Sequence, residues 1–281
     1  MKIGCHVSIA GGVFNAPANA AELGCEVFQI FTRSPRGGPA APLTPEVLKQ
    51  FTVASKEQKQ SAWAVHTPYY INFASTNARI NAGSSAIIRE ELERASKIGA
   101  SFLMTHLGSG KDVSATEARQ MVIDGISKAL NGYTGSTTFC MEIATGAGSV
   151  LGGTFETIGD YIRSIEKKNA KLKNTIGVCF DTCHAFASGY DLRDTKSVNA
   201  TMKLFDKHIG LNRLKLVHAN DSQFGLGEHK DRHEHIGQGK IGLAGFAAMA
   251  KHPTLKKVDW YLETEHDFVK KDIATLKKLR G

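Results

Sequence analysis

Six short apolar segments each stop at a histidine or a carboxylate: SAWAVHT at His66, SFLMTHL at His106, TTFCMEI at Glu142, IGVCFDT at Asp181, LKLVHAND at His218 and DWYLETE at Glu263. These side chains ligate divalent cations, and burying three imidazoles and three carboxylates together is very costly unless something compensates their polarity and charge. Two motifs extend the set. In DTCHAF, His184 lies three residues past Asp181, where a turn leaving a strand can aim it back. In DRHEH, Asp231 and His233 are two apart, so extended backbone points both the same way. The nine candidates comprise five histidines and four carboxylates. That nitrogen and oxygen mixture suits zinc or manganese, and the absence of thiolates argues against a structural zinc site. If one carboxylate bridges, nine ligands divide among three metals. A lone histidine is more often a core or surface residue, and His208, His252 and His266 are read that way. His229 and His235 fall near the cluster but outside it, and His6 in GCHVS lines the pocket without ligating. Repetition at six strand ends overrides the same reading for the others.

Elements must deliver these residues to one place. Strand-like runs begin near Lys2, Glu26, Ala62, Phe102, Thr138, Ile176, Leu214 and Asp259, each followed by a helical pattern. This cadence predicts eight βα units in one domain over 1–281: an α/β chain forming a (β/α)8 TIM barrel with its active site at the C-terminal face of the strands. A doubly wound open sheet shares the alternation but would not bring six strand ends around one point. Thr44 before Pro45 and Ser114 with Glu117 mark helix starts; Gly99 closes a helix whose inward stripe is Ile88, Leu92 and Ala95. Long connections at Arg33 to Thr44, Thr145 to Thr154 and Asp221 to Leu243 all fall at the expected mouth, where loops of such length are usually functional. Within the last, Phe224 to His229 reads as flexible surface decoration.

Composition sets the setting. No apolar stretch in the 281 residues is membrane-sized, and MKIGCHVSI runs directly into a strand without a signal-peptide pattern. The five cysteines read as mostly buried free thiols, which predicts a cytoplasmic, reducing compartment. A formal net charge of +8 favours polyanion partners.

The motifs MKIGCHVSIAGG, FTRSPR, HTPYYIN, HLGS, FDTCHAFASGYD, HANDS, DRHEHIGQGKIG and LETE run in order along the chain. Together they closely resemble the endonuclease IV family of apurinic/apyrimidinic endonucleases. The resemblance implies a DNA-repair enzyme that hydrolyses the phosphodiester 5′ to abasic sites in duplex DNA, leaves a 3′-hydroxyl and also clears blocked 3′ ends. It implies three zinc ions, with manganese admissible in one position. His66 and His106 would hold one with Glu142, the catalytic carboxylate, which would bridge to a second held by Asp181, His218 and Glu263. His184, Asp231 and His233 would hold the third. Arg36 and Tyr69 match residues that enter the DNA stack, and glycine-rich loops would let backbone amides approach phosphates. The chain departs from the family pattern at Gly37 and Gly38, where relatives often carry bulkier residues, and at Ile143. A monomer without membrane or protein partners is expected. The competing readings are a metal-dependent barrel sugar isomerase or epimerase, which needs no third metal site, and a non-catalytic lesion-binding relative, which would not need all nine ligands intact.

Overall fold

The computed structural model describes residues 1–281. Eight parallel strands close into a barrel: β1 (Ile3–His6), β2 (Val27–Ile30), β3 (Trp63–His66), β4 (Phe102–Thr105), β5 (Thr138–Glu142), β6 (Gly177–Asp181), β7 (Leu214–His218) and β10 (Asp259–Leu262). β1 completes the ring by pairing with both β2 and β10. Helices α1 (Ala16–Glu22), α2 (Pro45–Glu57), α3 (Ala78–Lys97), α4 (Ala115–Leu130), α5 (Phe155–Lys168), α7 (Thr195–His208), α8 (Gly242–Lys251) and α9 (Val269–Arg280) follow the eight strands in turn. Two features were absent from the sequence reading. A short helix, α6 (Thr182–Ala187), starts directly at the end of β6, and a ribbon of β8 (Asp221–Ser222) and β9 (His233–Glu234) folds the connection after β7 back on itself.

Local signals act where expected. The Thr44 hydroxyl accepts from the Val47 amide with Pro45 in the first turn, and Ser114 and Glu117 form a reciprocal capping box. Gly99 closes α3 at φ +74, and Ile88, Leu92 and Ala95 are fully buried against the sheet. The stretch Phe224 to His229 is not loose decoration. The Gly227 and His229 amides donate to the Phe186 and Ala187 carbonyls of α6, and the Lys230 ammonium sits 4.2 Å above the Phe224 ring. No helix is long and apolar enough to cross a membrane.

Strand alternation sorts the core into two parts. Outward-facing residues such as Ile3, Phe28, Val65, Phe139, Phe180 and Trp260 pack under the helices in a 59-residue cluster. Inward-facing Val27, Ala64, Met104, Cys140, Cys179, Leu216 and Tyr261 form a separate buried plug inside the barrel. β1 adds no side chain to the plug: a Cβ on Gly4 would lie 1.6 Å from the Val27 carbonyl oxygen. The plug is a floor, and what stands on it is set by the two-residue period of the strands.

Candidate metal centre

One inward-facing position beyond each plug residue comes Gln29, His66, His106, Glu142, Asp181, His218 and Glu263, and β1 contributes His6 two residues after Gly4. All six strand-end residues read as ligands therefore share this inward set. His184 joins from the first turn of α6, and Asp231 and His233 reach in from the ribbon.

Glu142 is the hub and is wholly buried. Its Oε2 lies 3.3 Å from His66 Nε2 and 3.5 Å from His106 Nε2. Its Oε1 lies 2.9 Å from His218 Nδ1, which is also 3.2 Å from Glu263 Oε2. Donor atoms of His66, His106 and Glu142 lie within 4.8 Å of one another, as do those of Glu142, Asp181, His218 and Glu263. His184 Nε2 and His233 Nε2 lie 3.2 Å and 3.6 Å from Asp231 Oδ1. Asp181 also stands within 4.8 Å of the donors of His184 and His233. The structure thus brings all nine predicted ligands together.

The charges press on one another. Burial alone would raise the Glu142 carboxyl, but His106 and His218, with hydrogen bonds from His184 and His218, hold it well below the usual carboxylate range. Burial likewise opposes protonation of His218, yet Glu263 and Glu142 lift it to about 9. A cluster that recruits protons this way is one where bound cations would be stabilised. Burial raises the Cys179 thiol well above its ordinary range and Cys183 to about 12. Burial thus favours the neutral thiols, while Cys179 lies within 4.8 Å of donors of Glu142 and His218, and Cys183 within 4.8 Å of those of Asp231 and His233.

The imidazoles are oriented for ligation. His66 Nδ1 is 2.6 Å from the Thr67 carbonyl, and His184 Nδ1 is 3.0 Å from that of Ile143. Each ring donates outward and keeps Nε2 for the cavity. His218 is reversed: its Nε2 donates to Gln29 Oε1 at 2.8 Å, freeing Nδ1 for the centre. His184 Nε2 and His233 Nε2 are buried and make no well-aligned hydrogen bond, although Asp231 Oδ1 is near both. Such nitrogens are costly to leave bare and are what a cation would satisfy, so the donor set fits divalent metal.

Supporting residues escaped the sequence reading. The Gln29 amide nitrogen donates to Glu263 Oε1 at 2.7 Å and meets His6 Nδ1 at 3.0 Å, so one side chain orients a histidine and a carboxylate. Asn220 donates to Asp181 Oδ2 at 2.8 Å and accepts from the Glu263 amide at 2.8 Å. Asp181 also caps α6 through the His184 amide, so its capping and candidate-ligand positions coincide. In the connection after β7, one of the three glycine-rich loops, the glycine amides are already engaged. The amides of Gly237, Gly239 and Gly242 do not await phosphate, because the buried Asp221 carboxylate accepts all three.

The centre floors a cavity of about 810 Å³ lined by His6, Phe31, His66, Tyr69, His106, His184, Asp231, His233 and Glu263, among others. Burial pushes the neutral-favouring His6 down to about 3. Tyr69, 69% exposed, rises from the rim with its ring 5.3 Å from Phe31. Arg36 is exposed in the loop whose Ser34 and Pro35 line the cavity. Of the histidines set aside, His208 pairs with Glu156 and His235 with Asp272, while the His229 ring meets the Thr145 carbonyl. His252 accepts from the Thr254 amide. His266 does more than expected: it lines the cavity, with Nε2 2.9 Å from the His6 carbonyl.

Residues 17–279 match the family described as the xylose isomerase-like TIM barrel. The chain is 37% identical over 279 residues to a protein of Methanoculleus marisnigri named "Probable endonuclease 4", covering 99% of this chain and 97% of the relative. It superposes on the crystal structure of endonuclease IV from Thermus thermophilus with TM-score 0.85 and 31% identity, covering 100% of this chain and 98% of the other. A D-tagatose 3-epimerase-like protein superposes with TM-score 0.73 at 20% identity over 99% of this chain and 97% of that one, a likeness of fold alone. With full-length similarity at this level and a barrel mouth where histidine and carboxylate donors converge, the chain belongs to the endonuclease IV family of apurinic/apyrimidinic endonucleases.

Proposed function

We propose that this protein hydrolyses the phosphodiester on the 5′ side of abasic sites in duplex DNA, leaves a 3′-hydroxyl, clears blocked 3′ ends, and works with three zinc ions, one position of which also accepts manganese. The observation that carries the reading is the convergence of nine residues with nitrogen and oxygen donors, six lining one cavity and Glu142, Asp181 and His218 fully buried beside them. His66, His106 and Glu142 would hold one cation; Glu142, Asp181, His218 and Glu263 a second; His184, Asp231 and His233 the third. When bound, the cations supply charge neutralisation for the phosphate oxygens and a lowered pKa for water.

The rest is work for the chain. Glu142, fixed from both sides by imidazoles, keeps the two halves of the centre in register. Gln29 and Asn220 hold Glu263 and Asp181 in orientation. Phe31, Tyr69 and the neutral-favouring His6 give the cavity an apolar and aromatic wall suited to a sugar without a base. Extrusion of a nucleotide from duplex is cheapest where the base is missing, and Arg36 and Tyr69 would fill the vacated stack. A net charge of +8 draws the polyanion in. A sugar epimerase on the same barrel would leave the set of His184, Asp231 and His233 without a task.

The test is a duplex carrying one tetrahydrofuran abasic analogue. Zinc-loaded protein should nick it once, on the 5′ side, leaving an end that a polymerase extends; chelator should abolish the nick and added zinc restore it. An uncut duplex, or cutting indifferent to chelator, would overturn the proposal.

A further inference from the structure

The loop that carries Arg36 has an unusual support. Its arms are stiffened by Pro35, Pro39 and Pro42, whose φ is fixed by the ring. Its tip is Gly37 and Gly38, at φ +115 and +96 with open space around both. Within the loop the Gly37 amide donates to the Ser34 carbonyl and the Arg36 amide to the Ser34 hydroxyl, which alone would not fix its direction.

The direction is set from α3. Arg94 Nη2 donates to the Thr32 carbonyl at 2.7 Å and Nη1 to the Ala41 carbonyl at 2.9 Å, so one planar guanidinium spans both feet of the loop. Its Nε donates to the Thr32 hydroxyl at 2.9 Å, and that hydroxyl donates to Glu91 Oε2 at 2.6 Å. Glu91 Oε1 accepts from Arg33 Nε at 2.7 Å. Arg33, Glu91 and Arg94 are 7%, 0% and 8% exposed, so water competes little for these bonds.

We infer that Arg94, backed by Glu91, is a positioning residue for lesion recognition: it closes the base of the loop so that the proline arms aim Arg36 at the DNA stack. This rests on the proposed reading of that loop as a DNA-contacting element. A fork is needed because two carbonyls must be held at once in one plane, which a lysine ammonium, a single rotating point donor, does not do. Gly37 and Gly38 then make sense as a tip free to adapt over a base that is not.

The experiment is Arg94→Lys in zinc-loaded protein, with three readouts. Trypsin should cut the exposed Arg36–Gly37 bond several-fold faster than in the parent while the thermal midpoint of the barrel stays near the parent value. On abasic duplex kcat/KM should fall on the order of tenfold, carried by KM, the scale on which misplacement of a remote group acts. Hydrolysis of a small 3′-terminal phosphoester should be unchanged. Unaltered trypsin cleavage would overturn the inference whatever the activity. Faster cleavage with undiminished incision would support the closure of the loop base and overturn instead the assignment of the loop to DNA. Equal losses on duplex and small ester would overturn it in favour of a general structural defect. Should Arg94→Lys fold poorly, Thr32→Val, which removes the hydroxyl shared by Arg94 and Glu91, carries the same readouts with the same expected directions.

Discussion

Glu142 joins more of the centre than any other single side chain, and its substitution is the sharpest test at the scale of one residue. Glu142→Gln keeps the shape but removes the charge that faces His66, His106, His184 and His218. Incision should fall on the order of a hundredfold or more, the scale of catalytic metal electrostatics, while circular dichroism and duplex binding stay near the parent. Near-normal turnover would remove Glu142 from the shared position. Gln29 gives a subtler test. It accepts from His218 Nε2 and donates to Glu263, so Gln29→Ala frees both ligands to rotate. Metal affinity, read by competition with a chelator, should weaken on the order of tenfold to a hundredfold. Unchanged retention would mean that the ligands orient themselves. These two residues also show what the sequence could disclose. Glu142 was legible because a carboxylate ending an apolar run is anomalous. Gln29 was not, because VFQIF reads as an ordinary strand and an amide does not suggest a metal. The signal that would have found it is period rather than chemistry: two residues past each plug position lies the inward set, and Gln29 occupies that place on β2.

Elements extend the same argument. The eight βα units were readable because strands buried on both faces are continuous apolar runs and the helices carry strong caps. The ribbon of β8 and β9 was not, since two-residue strands have no periodicity to detect. Nor was α6, because its starting cap is Asp181, a residue already assigned to metal. What the sequence treated as a turn and an open connection are therefore two elements, α6 delivering His184 and the ribbon delivering His233. The loops opposite carry recognition in the proposed function, and there the prediction concerns Arg36 and Tyr69 together. With both replaced by alanine, incision of paired abasic duplex should fall far more than hydrolysis of a small 3′-terminal phosphoester. Extrusion costs a few kcal/mol that wedge residues offset by occupying the gap, whereas a terminal ester needs no extrusion. Metal content should be unaltered, since neither residue contributes a donor to the candidate metal groups. Equal losses on both substrates would assign these side chains to the chemical step or to general binding.

At the scale of the whole molecule, fold and centre are held by different forces. The barrel rests on a 59-residue apolar shell and a seven-residue internal plug, none of which is a candidate ligand except the buried Cys179 near His218. The mouth instead gathers buried carboxylates and imidazoles whose charges face one another. Metal removal should therefore loosen the mouth without dissolving the barrel. Native protein should contain about three zinc ions per chain, because nine donors with one shared carboxylate fill three sites. After chelation far-UV circular dichroism should keep its helical content while the thermal midpoint drops on the order of ten degrees. One such ion at a thousandfold over its Kd contributes about 4 kcal/mol, and each kcal/mol moves a chain of this size by about 2–4 °C, so about ten degrees is the least shift expected for loss of three. Readdition of zinc should restore midpoint and incision together. Elemental analysis finding one metal per chain would undo the three-site assignment, and collapse of helical content on chelation would show that the metals hold the fold itself rather than only the chemistry at its mouth.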